Sequence, residues 1–408
     1  MESVTPELRL LLACARVHTG PEDETSIRQM LGEGIDWTLF VRKAVDHGLA
    51  GLSGHTLAHI APDLVPDDIL DAFHVNIERT RARNLVLFDE LARLIEALAN
   101  NGVDSIPFKG PVLAIQAYGD LGLRVFRDLD FLIHDRDIAP TMTTLRGLGY
   151  ERGERLTDTQ FDVIHRIQGQ EILYEKGSGI IIEPHTRLTP MKMALDIDYA
   201  GIWRRAQQTT LNRRAMMTAA PEDHLIILAI HGGKELWWRI NWACDVSAFL
   251  GSHPKLDWVA ILERARSQGC LRMGLLAVSL ARRYFNATVP DMVTAAELAD
   301  PVIEPMVQRV MARWLSDEPV GPPSNRRLSM DRLRLHDGTV RRGRYVARTW
   351  LLPGVHHVAW IALPSQLSFA YVPLKIAHDL FMLPLWRAYR AMVRSGPTII
   401  GHDFEGDA

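Results

Sequence analysis

Two aspartates separated by one leucine, Asp128-Leu129-Asp130, lie inside an apolar run, with Val125 and Phe126 before them and Phe131, Leu132 and Ile133 after. If that run is a strand, alternate residues share a face and the two carboxylates stand side by side. Close like charges repel, so something must offset them. Mg²⁺ does this well, because it takes one or two carboxylates and completes its shell with phosphate oxygens and water.

Upstream, Lys109-Gly110-Pro111 falls where a short strand turns into a helix. Gly110 lets the backbone approach a ligand closely, and Pro111 suits the first helical position. The free N–H groups of a helix start favour phosphate, and Lys109 adds a full positive charge. Arg124 and Arg127, just before the aspartates, are further phosphate-binding candidates, able to grip two oxygens at once. A third carboxylate is expected one or two strands later. Glu183, at the end of the apolar run Gly179–Ile182, fits, either as general base or as a further metal ligand. His185 has the same strand parity and could orient an acceptor or share the base role. Pro184 between them suggests a strand end or an edge.

These residues need elements to hold them. Residues 1 to about 100 read as helices, the last of them running from Asp67 to an Asn-Asn-Gly stop. A strand ending at Lys109, a short helix through Tyr118, the aspartate strand and a helix closed by Gly149 follow. Residues 171–188 then read as a hairpin turning at Gly177-Ser178-Gly179. Strands alternating with helices over this length imply a small α/β or α+β unit. Helices return from Ala220. Ser316–Asn325 is polar and proline-rich, as a linker would be, and the arginine-rich stretch 326–348 reads as a solvated face or a surface for an anionic acceptor.

The pattern FKGPVLAIQAYGDLGLRVFRDLDFLIHDRDIAPTMTTLRGLGY resembles the uncharacterised bacterial nucleotidyltransferase family of the polymerase-β-like superfamily. A Lys-Gly turn, an Arg and a D-x-D strand occur there in this order. RARNLVLFDELARLIEALANNGV before the motif, IIEPHTRL after it, and the helical stretch from PEDHLIILAIHGGKELWWRINWACDVSAFL to LDWVAILERA carry the likeness across roughly residues 37–290. Better-known superfamily members have Gly-Ser where this chain has Lys109-Gly110. The abortive-infection type of nucleotidyltransferase toxin uses a similar Lys-Gly turn.

The resemblance implies an α+β fold: a small mixed-sheet nucleotidyltransferase core over residues 97–195, flanked by a helical N-terminal region (1–96), a helical C-terminal domain (196–315) and a basic linker with a helical tail (316–408). It implies that Asp128, Asp130 and Glu183 form a carboxylate triad holding two Mg²⁺ ions, with Mn²⁺ as an alternative, on a nucleoside triphosphate. Lys109, Gly110 and Arg124 would hold the phosphates. An acceptor would attack the α-phosphorus and release pyrophosphate. Other readings of the same site are a catalytically degenerate nucleotide- or partner-binding module, a phosphoryl transferase, and a toxin-like enzyme acting on transfer RNA.

In the helical half, His231 is a candidate for acceptor or base work, although a core histidine is the plainer reading. Asp245 could cap its helix or pair with Arg239. Trp237, Trp238 and Trp242 read as core rather than as a base-stacking box. A net charge of -3 gives no global field for a nucleic acid, so the acceptor stays open between a small molecule, a sugar, a peptide and RNA. Cys14, Cys244 and Cys270 have neither metal spacing nor a disulfide framework, which suggests a reducing, cytoplasmic setting. The apolar stretch 355–374 carries two histidines, Gln366 and two prolines, and no stable membrane insertion is expected of it.

Overall fold

The strand that carries the aspartates, β2 (Asp128–Ile133), sits inside the sheet because its side chains serve two faces at once. The computed structural model describes residues 4–382 apart from 18, 154, 155 and 317, without the side chains of 325–329, 381 and 382. Residues 383–408 of the expected tail, and the side chains of Arg326 and Arg327, lie outside the described residues. Leu129, Phe131 and Ile133 enter one apolar cluster, and Leu132 enters another on the opposite face. Asp128 and Asp130 share parity with Leu132 and therefore its face.

Around β2 lie β1 (Ser105–Pro107), β3 (Tyr150–Arg152), β4 (Leu173–Glu175) and β5 (Ile181–His185), in the spatial order β1-β2-β5-β4-β3. The sheet is mixed: β1 runs antiparallel to β2, β5 runs parallel to β2, and β4 joins β5 as an antiparallel hairpin. The fold is the expected α+β arrangement of a small mixed sheet with helical flanks. β5 is a central strand. Pro184 sits beyond the last rung of the β4–β5 ladder, which ends at Leu173 opposite Ile182, so its missing N–H interrupts no pairing with β4. A second hairpin, β6 (Gln207–Leu211) and β7 (Arg214–Thr218), was not expected from the sequence and packs Leu211 and Met216 into the same cluster as β2.

The helix Asp67–Asn100 is 34 residues long and opens on two aspartates that suit the positive end of its dipole. Phe73, Ile77, Asn84, Leu87, Phe88, Leu91, Leu94 and Leu98 recur every three or four residues and form its buried stripe. The C-terminal part of the stripe covers the sheet, while Phe73 joins a larger cluster that mixes Leu8, Phe40 and Leu52 from the first helices with Leu225, Trp237, Phe249, Leu276 and Trp314 from the later ones. Residues from Leu8 to Tyr345 thus share one apolar core. Among the described residues, no helix is long and apolar enough to cross a membrane.

The segment between residues 119 and 127, which leads into β2, has little regular structure and is held by side chains. Asn84, fully buried in the long helix, donates to the carbonyls of Leu121 (2.7 Å) and Arg124 (2.8 Å). Arg81 pairs with Asp120 at 2.6 Å. Asn84→Ala strips both carbonyls of their donor in a dry place. It is expected to cost about 3 kcal/mol in urea unfolding, whereas exposed Glu78→Ala should shift the midpoint little. Equal effects of the two would show that Asn84 does not pin this segment.

Candidate active site

The parallel register of β2 and β5 sets Asp130 opposite Glu183 and Leu132 opposite His185. Antiparallel β1 continues past its last rung, where the Phe108 N–H donates to the Asp130 carbonyl at 3.1 Å, and so delivers Lys109 beside the same aspartate. Asp130 is 3% exposed, and both its oxygens are engaged. Lys109 Nζ lies 3.1 Å from Oδ2, and His185 Nε2 lies 2.9 Å from Oδ1. Five of the expected site residues, Lys109, Asp128, Asp130, Glu183 and His185, therefore meet on one face of the sheet.

Their electrostatics follow from that crowding. Burial, then the charge of Asp130, pushes the Asp128 carboxyl up to about 6. Burial would also raise Asp130, but Lys109 and the His185 hydrogen bond outweigh it and hold Asp130 well below the usual carboxylate range. Burial works against the charge on Lys109 as well, and the Asp130, Asp128 and Glu183 charges overcome it. His185 has Nε2 against a carboxylate and Nδ1 3.2 Å from the Arg187 carbonyl. Both ring nitrogens face acceptors, which favours the imidazolium. Its affinity for a proton is raised despite burial by the hydrogen bonds to Asp130 and Glu183. As a donor to Asp130, His185 fixes that carboxylate, a contact beyond the expectation that it orient an acceptor or share the base role.

Lys109 has φ 56° and ψ -141°, and Gly110 follows at φ 39°. A side chain at that backbone setting costs on the order of 1–3 kcal/mol. Glycine would sit there without strain, so the lysine is held by what its ammonium does. The helix that follows, Gly110–Leu113, continues as a wider turn through Tyr118.

Arg124 takes a different partner from the expected phosphate. Its guanidinium grips Asp245 with two hydrogen bonds of 2.7 and 2.9 Å, and it is 7% exposed. Tyr118 donates to the same aspartate at 2.6 Å, and Arg124 also donates to the Gly110 carbonyl at 3.3 Å. Asp245 was expected to cap or to meet Arg239; instead it ties the helix Ile240–Ser252 to the Lys109-Gly110 turn. Arg127 is exposed. Burial and the Arg127 charge together push down the proton affinity of Arg83 and Arg239, which places the three arginines in one field, with Asp128 acting the other way at Arg83.

The helix Pro221–Glu235 brings His231 to the site. Burial, then Lys109 and Lys234, holds the imidazole well below its ordinary value, so His231 is neutral beside a cationic lysine. Lys234, one turn on, lies in the field of Lys109, Asp130 and Glu183. The helix breaks at Leu236 and Trp237, both in the left-handed region. Trp237 is fully buried as expected for core, and its carbonyl accepts from Trp314 Nε1 at 2.7 Å. A Cβ at Gly232 would lie 2.3 Å from the Trp237 ring, so that glycine is what allows the turn to fold back. Trp238 and Trp242 meet edge to face, 5.0 Å between centroids, and His231 packs on Trp242. Arg83 and Lys234 are additions not expected from the sequence, and Arg239 was expected only as a partner for Asp245.

The sequence model of the family described as uncharacterised nucleotidyltransferase matches residues 33–286, more than half of the 408-residue chain, and the chain belongs to that family. No curated protein matches it.

The raised Asp128 carboxyl has a thermodynamic signature. Its folded value, about 6, exceeds the ordinary 3.8, so ionising it costs the fold nothing well below 3.8 and the full amount above 6. Metal-free Asp128→Asn is expected to be more stable than wild type near pH 8, by on the order of 2–3 kcal/mol, and to lose that gain near about pH 4. Urea unfolding at both pH values checks this, and a gain independent of pH would remove the charge as its cause.

Proposed function

We propose that this chain moves a nucleoside monophosphate from a nucleoside triphosphate to a hydroxyl or phosphate acceptor and releases pyrophosphate, with Mg²⁺ (two ions, Mn²⁺ as a substitute) held by Asp128, Asp130 and Glu183. The observation that carries this reading is the register of β2 and β5, which sets Glu183 across from Asp130 with Asp128 two residues earlier on the same face. The donor set fits the metal. Carboxylate oxygens are its preferred protein ligands, and carboxylate oxygens of Asp130 and Glu183 lie within 4.8 Å of each other. When bound, the ions would neutralise charge on the triphosphate and on the leaving pyrophosphate.

The protein's own groups have separate tasks in this reading. Lys109, held in its strained turn, orients Asp130 and faces the phosphates. Arg127 and the two arginines in its field, Arg83 and Arg239, hold the outer phosphates on the neighbouring Asp128 side of the site. Arg124 is a positioning residue that fixes the Gly110 carbonyl and the helical half together. Glu183 accepts the proton of the acceptor hydroxyl as its oxygen attacks the α-phosphorus. The bond from that phosphorus to the bridging oxygen breaks, and its electron pair leaves with pyrophosphate.

Calorimetry of the four nucleoside triphosphates, with and without Mg²⁺, tests the reading. Mg²⁺-dependent binding of at least one nucleotide is expected, weakened about 100-fold or more in Asp128→Asn/Asp130→Asn. Lys109→Gly relaxes the backbone yet is expected to lose about 10-fold or more in Mg²⁺–nucleotide affinity. Absence of binding by the wild type to all four would turn the account toward a degenerate scaffold.

A further inference from the structure

A cavity of about 810 Å³ has Gln170, a hydrogen-bond partner of Glu183, in its wall. The helix Asp158–Gln168, β4, the turn Met191–Met193, the end of the helix Pro221–Glu235 and the helix Asn325–Leu335 enclose it. Two of its wall residues reach the site already described. Gln170 donates to Glu183 Oε2 at 2.9 Å, and Lys234 lies in the field of Asp130 and Glu183. The arginines assigned to the triphosphate are grouped instead around Arg127.

The charges in the wall do not balance. Among the described residues, Arg152, Lys192, Lys234 and Arg332 share the wall with two carboxylates, Glu171 and Glu235. Arg152 is engaged by Glu171 at 3.2 Å and lies over the Phe161 ring at 3.8 Å. Lys234 lies 3.5 Å from Glu235. Arg332 is 7% exposed; its Nε donates to the Lys234 carbonyl at 2.6 Å and its guanidinium also meets the Tyr345 hydroxyl, a neutral partner. Lys192 has no hydrogen bond or ion pair among the described residues. Burial, then the Arg332 charge, lowers the proton affinity of Lys192, and burial lowers that of Arg332. Glu235 acts on Lys192 and Arg332 as well as on Lys234, so among the described residues one carboxylate serves three partly buried cations, which is costly unless an anion joins them. Phe161, Ile164, Ile172 and Val355 supply an apolar wall beside them.

We infer that this cavity is the acceptor pocket, and that the acceptor is an organic anion: a phosphate or carboxylate gripped by Lys192 and Arg332, an apolar body against Phe161 and Ile164, and the nucleophilic oxygen presented to Glu183. The inference rests on the nucleotidyl-transfer reading for the word acceptor, and on the cavity alone for the anion.

The test is calorimetry with phenyl phosphate, benzoate and uncharged benzyl alcohol as probes. It uses the full chain, with and without Mg²⁺ and a non-hydrolysable α,β-methylene nucleotide. At least one of the two anions is expected to bind about 10-fold or more tighter than benzyl alcohol, and its affinity to fall about 10-fold in Lys192→Met. Lys192 has no bonds to lose among the described residues, so this variant should fold as wild type does. Arg332→Gln should act in the same direction. Asp128→Asn should leave anion binding intact, and the methylene nucleotide should not displace the anion. Anion affinity unchanged in Lys192→Met, no preference over the alcohol, or displacement by the nucleotide would each overturn the acceptor pocket. Failure of nucleotide binding with anion binding preserved would sink the transfer reading and leave the anion site standing.

Discussion

Burying the carboxylate of Asp130 opposite a second carboxylate, with a third two residues away, is costly unless cations close round it. Lys109 and His185 do so, one from each neighbouring strand. β1 must run antiparallel to β2 for Lys109 to arrive at the Asp130 level, and β5 must run parallel to β2 for Glu183 and His185 to flank it. A slip of one residue in either pairing would turn Asp130 or Glu183 to the face covered by the long helix. The sheet topology and the charge balance are therefore one constraint, and the strained backbone at Lys109 is part of meeting it.

The helical half is tied to that arrangement by a second buried charge pair. Arg124, from the segment leading into β2, meets Asp245, from the helix Ile240–Ser252, and Tyr118 completes the aspartate's partners. Removing either ion would leave the other uncompensated in a dry interior. The same arginine contacts the Gly110 carbonyl, so the position of the Lys109-Gly110 turn depends on how the helices pack. The left-handed break at Leu236-Trp237 adds to this: it ends one helix with His231 and Lys234 at the carboxylates and starts the next segment with Trp238 and Arg239 near Arg127.

Much of the site was legible in the sequence, because its central signals are local. The D-x-D strand, the Lys-Gly turn, the hairpin turning at 177–179 and the helix from Asp67 to Asn100 each follow from spacing over a few residues. Glu183 was legible as the acid ending an apolar run, although only the register shows that it faces Asp130. What was not legible depends on long-range packing. Arg124 beside two aspartates reads as a phosphate ligand until Asp245, far along the chain, takes its guanidinium. Nothing near Arg83 marks it, since it belongs to the site only through the docking of the long helix. Lys234 carried a usable hint, lying one helical turn from His231. The strands β3, β6 and β7 were missed because three to five residues of mixed polarity give no clear period.

The central claim, that the β2 and β5 carboxylates hold a divalent metal together with a triphosphate, is tested most directly by electron paramagnetic resonance of Mn²⁺ with the protein. The account predicts that free Mn²⁺ signal falls when protein and nucleotide are both present, and that Asp130→Asn and Glu183→Gln each restore it. Mn²⁺ that stays bound in both variants, or that binds the wild type no more tightly than nucleotide alone does, would contradict it.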